Sequence, residues 1–78
     1  MPVVLRIKGF RFFFYSDEGD EPVHIHIEKA EKRGKIWLMP EYSEEFLYGF
    51  TVSEAKNIRK IIIENFEILK SAWYEHFE

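Results

Sequence analysis

The run Pro22-Val23-His24-Ile25-His26-Ile27-Glu28 alternates apolar and polar residues, which is the period of a half-buried β-strand. Successive strand side chains point to opposite faces, so Val23, Ile25 and Ile27 share one face and His24, His26 and Glu28 the other. The first face needs a hydrophobic cover. The second presents two imidazoles and a carboxylate outward. A chain built around this run is pushed towards a sheet with one packed face and one open face.

The flanking segments fit that frame. Val3 to Ser16 reads as a β-hairpin turning at Lys8-Gly9, where Gly tolerates positive φ. Its register pairs Ile7 with Phe10, Leu5 with Phe12 and Val3 with Phe14, placing all six on the packed face. Arg6 and Arg11 then face each other on the open side, which is costly unless an anion sits between them. Asp17-Glu18-Gly19-Asp20-Glu21-Pro22 is an acidic turn without the spacing of a known calcium loop. Lys29 to Gly34 reads as a polar loop, and Lys35 to Met39 as a fourth strand ended by Pro40. Pairing Glu28 with Lys35 sets Ile27 beside Ile36, Ile25 beside Leu38, His26 beside Trp37 and His24 beside Met39. Residues 41–50 fit neither period, and a short strand or a packed loop would suit them equally. Thr51 and Glu54 form a capping box. Ala55, Ile58, Ile62, Phe66, Leu69 and Trp73 then recur at helical spacing, giving one amphipathic helix over Val52 to His76.

The expected fold is therefore α+β: one domain over 1–78, with an antiparallel sheet of about four strands in two hairpins, covered on one face by a single long C-terminal helix. A chain of 78 residues without cysteine has a marginal core. Its eight Phe, four Tyr and two Trp supply the burial instead. The helix should span roughly 37 Å, which overruns a sheet of about 20 Å strands. Trp73, Tyr74 and Phe77 would lie on the overhang and need a cover, so a homodimer or a small protein partner is expected. No apolar run approaches a membrane span, and no signal peptide opens the chain. A cytoplasmic protein with no membrane partner is the expectation.

Several stretches resemble a known family. They are Phe10-Arg11-Phe12-Phe13-Phe14-Tyr15-Ser16, Glu21-Pro22-Val23-His24-Ile25-His26, Ile36-Trp37-Leu38 with Pro40, Gly49-Phe50 and Ala72-Trp73-Tyr74-Glu75-His76-Phe77. The chain is similar to a small bacterial domain-of-unknown-function family, number four-one-six-zero. The resemblance implies a component of a toxin–antitoxin pair encoded beside another small protein, and it implies no established activity. The chain departs from that pattern at Met39, where an acidic residue often precedes the proline. A ligand or base at that position is therefore not expected here.

The open face supports three readings. Protein association leads, because Tyr, Trp, Phe, Met and Arg are the residues of interface centres. RNA or phosphate binding is the alternative. Arg6, Arg11 and Lys35 would supply charge, Tyr15 and Trp37 (with Phe13) stacking surfaces, and His24 and His26 the acid and base of an RNase. The third reading is a divalent metal held by His24, His26 and Glu28, with a fourth group from elsewhere because three ligands on one strand lie in a line. Outside that reading no cofactor is implied. Net charge is −3, with +1 over residues 1–40 and −4 over 41–78, so no general affinity for nucleic acid follows.

Overall fold

In the computed structural model, which describes residues 3–77 (Val3 by its backbone alone), five strands precede two helices. They are β1 (Val3–Ile7), β2 (Phe10–Phe13), β3 (His24–Lys29), β4 (Lys32–Trp37), β5 (Ser43–Tyr48), α1 (Val52–Glu64) and α2 (Phe66–Phe77). The strands form one antiparallel meander in the order β1-β2-β3-β4-β5. The sheet thus has one strand more than expected, and its order equals chain order.

The β1–β2 turn at Lys8-Gly9 has positive φ at both residues, as a two-residue hairpin turn requires. Ile7, Arg6 and Leu5 pair with Phe10, Arg11 and Phe12 as expected, but an irregularity between Val3 and Leu5 sets Val3 opposite Phe13 and not Phe14. The side-chain placement expected for Val3 lies outside the described residues.

The β3–β4 register differs from the expectation by two residues. His24 pairs with Trp37, Ile25 with Ile36, His26 with Lys35, Ile27 with Gly34 and Glu28 with Arg33. The cause is a shorter turn: Ala30 takes φ 55, so Lys29 and Lys32 already pair and the strands run through what reads as loop. A slip of two keeps every side chain on its face, so the packed face is unchanged.

That face carries Phe10, Phe12, Ile25, Ile27 and Ile36, joined by Phe14, Val23 and Leu38 beyond the strand ends, against Ile58, Ile61, Ile62, Leu69 and Trp73 of the helices. Phe12, Ile36, Ile58 and Ile62 are completely buried. Gly34 lets β5 approach β4, since a Cβ there would stand 2.7 Å from Leu47 and 3.0 Å from the Phe46 carbonyl oxygen.

The single long helix is corrected to two. Thr51 caps α1 with both halves of its box formed. At Asn65 the helix closes: the side-chain Nδ2 donates to the Ile61 carbonyl at 2.8 Å, and the backbone N–H is shared between the Ile61 and Ile62 carbonyls. Asn competes for backbone groups in this way and favours helix ends. The C-terminal aromatics of α2 are placed differently from the expectation. Trp73 is buried against Phe14 and His24 of its own chain. Phe77 packs on Phe14, on Trp73 and over Gly19. The overhang expected to expose them does not form, and of the three only Tyr74 remains exposed. Neither helix is long and apolar enough to cross a membrane.

Candidate functional site

The uncovered face of the sheet is organised in cross-strand rows set by the registers. One row runs Arg6, Arg11, Glu28, Arg33, Tyr48; the next runs Phe13, His26, Lys35, Phe46; the third runs His24, Trp37, Ser43. In the first row the Arg6–Arg11 repulsion is met from within, because Arg11 pairs with Glu28 at 2.5 Å. Lys35 pairs with Glu21 at 3.1 Å and lies over the Trp37 ring. The Trp37 indole N–H donates to Glu45. Two of the three cations expected to contact phosphate are thus bound to the protein's own carboxylates.

Glu28 is likewise committed to Arg11 and does not join the histidines as a third ligand. Its place is taken by Glu18, from the acidic turn. That turn folds back in two steps: the Glu18 N–H donates to the Tyr15 carbonyl, and the Glu21 N–H to the Glu18 carbonyl. The Tyr15 N–H then donates to Glu18 Oε1 at 2.9 Å, which fixes the carboxylate above β3. His26 Nε2 lies 3.1 and 3.0 Å from its two oxygens. His24 Nε2 lies 3.0 Å from Oε1. The donor atoms of Glu18, His24 and His26 all fall within 4.8 Å of one another.

Each member is held by neighbours. His24 is wholly buried between Trp37, Trp73 and His26, and its Nδ1–H donates to the Pro22 carbonyl at 2.9 Å. That bond leaves Nε2 as the free ring nitrogen. Nε2 is buried and has no well-aligned hydrogen-bond partner among the described residues, although a carboxylate oxygen is only 3.0 Å away. His26 stacks on Phe13 and meets Tyr15 edge-on. Burial pushes its pKa down, against the opposite pull of Glu18, so the ring favours its neutral form. Burial pushes Glu18 up, but the Tyr15 amide, His26 and His24 outweigh it and hold the carboxyl below its usual range. A neutral imidazole and an ionised carboxylate are the forms that bind metal ions.

Beside this cluster the face opens into a groove of about 610 Å³ lined by Phe13, Tyr15, His26, Arg33, Phe46 and Tyr48. Tyr15, Phe46 and Tyr48 are all exposed there. Of the residues expected to act together, the structure gathers His24, His26, Tyr15 and Trp37. It leaves Arg6 and Arg11 in the row beyond Phe13 and His26. Sequence reasoning missed Phe46 and Tyr48, and saw Glu18 only as part of the acidic turn. Glu18 could have been found from strand order, since pairing Phe13 with His26 forces the acidic turn to close over the end of β3 that carries His24.

No curated protein and no solved structure matches the chain. Residues 9–74, which contain both histidines, Glu18 and the groove, match the family described as Domain of unknown function (DUF4160), and the chain belongs to that family.

Proposed function

We propose that this domain is a protein-association module whose open sheet face and β5 edge recognise a small partner protein, the arrangement needed by one member of a toxin–antitoxin pair. The observation that carries the reading is β5 itself. It is the last strand of the sheet, with no neighbouring strand on its outer side among the described residues, and it holds Phe46 and Tyr48 exposed at 46% and 70%. An open edge accepts an added strand from a partner, and exposed aromatics beside it give specificity. Tyr15 and Arg33 extend the same groove, and these are residue types that dominate interface centres.

The RNA alternative is left with a smaller electrostatic motive. Phosphate binding draws on cations that release counterions, and Arg11 and Lys35 already answer to Glu28 and Glu21. A protein partner needs no such surplus of charge.

The test is a calorimetric titration with the protein encoded by the adjacent gene, beside sedimentation of the domain alone. Phe46→Ser with Tyr48→Ser should weaken binding at least tenfold, about 1.4 kcal/mol, while the melting temperature holds. A concentration-dependent dimer lost in the same variant would assign the groove to a second copy. A strict monomer that ignores the neighbour's protein, or one that retards RNA with a steep salt dependence, would overturn the reading.

A further inference from the structure

We infer that Glu18, His24 and His26 form a binding site for a divalent transition-metal ion, zinc or a near neighbour, held by one carboxylate and two imidazole nitrogens. This goes beyond the role proposed for the groove and does not depend on it.

The Pro22 carbonyl takes the Nδ1 proton, so Nε2 is the ring nitrogen that faces the carboxylate, with an oxygen 3.0 Å away. Nε2 and the carboxylate oxygen approach without the alignment of a hydrogen bond, and a cation between them satisfies both. A proton on Nε2 is one such cation; a metal ion is the other, and the misalignment favours it. A metal ion satisfies both from the side. Ligand bonds of about 2.1 Å at a tetrahedral ion place two donor atoms about 3.4 Å apart. The two histidine-to-Glu18 approaches, at 3.0 and 3.1 Å, need to widen by only a few tenths of an ångström.

The surroundings have the features of a ligand shell. A backbone carbonyl on the far nitrogen of His24 fixes tautomer and ring orientation, as outer partners of metal-bound imidazoles do. The Tyr15 amide fixes the carboxylate. The three residues come from a turn and a strand and so escape the linear arrangement that weakens any set drawn from β3 alone. Two nitrogens and one oxygen, in a chain without cysteine, favour zinc and its borderline neighbours over calcium, magnesium or copper(I). Slight exposure of Glu18 and His26, at 13% and 15% of their side chains, leaves an entry path from solvent.

The test uses the full chain freed of metal by chelator dialysis and titrated with Zn²⁺ by calorimetry, with Co²⁺ in parallel for its visible absorption. One equivalent should bind, raise the melting temperature and, for Co²⁺, give a low-coordinate spectrum. Glu18→Gln keeps the acceptor for the Tyr15 amide and should still fold, yet weaken binding at least ~100-fold. His26→Ala should do the same. Glu28→Gln should change affinity by less than about twofold, since Glu28 lies outside the cluster. Failure to bind Zn²⁺ or Co²⁺, or binding that Glu18→Gln leaves intact, would overturn the proposal. So would a nitrogen-correlated NMR spectrum showing a proton on His24 Nε2 in the presence of one equivalent of Zn²⁺.

Discussion

Lys32 and Glu54 lock the tip of the β3–β4 hairpin to the first turn of α1: the Lys32 ammonium lies 2.9 and 2.8 Å from the two Glu54 carboxylate oxygens. Glu54 also accepts the Thr51 N–H and so closes the helix cap. One carboxylate therefore holds a strand, a helix start and, at 3.6 Å, a second cation in Lys29.

Those contacts predict a specific loss of stability in acid. Lys32, then the Thr51 amide, push the Glu54 pKa down to about 2 from its ordinary 4.5. A carboxyl with a depressed folded pKa contributes stability that is complete above its unfolded pKa and is lost as pH falls through the folded one. Urea midpoints measured across that interval should fall with pH in the native chain. Glu54→Gln preserves the cap but removes the charge. It should be less stable at pH 7 and fall off less steeply between pH 4.5 and 2.

A second expectation concerns the arginine row. Arg11 and Glu28 are each about a third exposed, so solvent screens the pair. A double-mutant cycle with Arg11→Ala and Glu28→Ala should give a coupling of about 0.2–1 kcal/mol. The coupling should shrink in 1 M salt, where the Debye length is about 3 Å. A coupling indistinguishable from zero at low salt would remove Glu28 as the internal answer to the Arg6–Arg11 repulsion.

Gly34 is where β5 depends on a missing side chain. Gly34→Val places its Cβ into the Phe46 backbone oxygen as well as Leu47. The Leu47 side chain can turn aside, but the backbone atom cannot. The expected cost is about 1–3 kcal/mol, with amide exchange in Phe46 and Leu47 accelerating before that of β3. Uniform protection across the sheet in this variant would show that β5 adapts by some other route.

Core packing is tested at Phe12, which is fully buried between Phe10 and the helices. Phe12→Ala should cost about 3–5 kcal/mol, much of what a domain of this size possesses. Phe46→Ala, on the exposed edge, should stay within about 0.5 kcal/mol. Chemical denaturation of the two variants side by side separates core from surface aromatics.

The packed face was legible in the residues because burial imposes a period. Phe10, Phe12, Phe14, Ile25, Ile27, Ile36 and Leu38 all lie where alternation puts them. Register between β3 and β4 was not, because an Ala in a left-handed conformation leaves no compositional mark, and Ala30 set the turn. β5 was hidden for a related reason. A pairing irregularity at Lys35/Ile36 leaves Glu45 as an extra residue, which breaks the period between Glu44 and Phe46. As an edge strand it also has little inward apolar signal, with Leu47 alone partly buried. The helix break rests on one Asn side chain whose hydrogen bond depends on geometry. The candidate site was half visible: the two histidines were evident from spacing, whereas Glu18 joins them through a loop whose path follows only from strand order.

Both tryptophans of the chain rest on His24, with ring centres 5.1 Å away for Trp37 and 4.8 Å for Trp73. The second of them comes from α2, the helix that begins beyond Asn65. The protein therefore carries its own optical probe: any change of charge or occupancy at His24 alters the emission of an indole in direct contact with it. In a Trp37→Phe background, Trp73 is the sole emitter, and a single fluorescence trace would follow both the docking of α2 and events at the histidine beneath it.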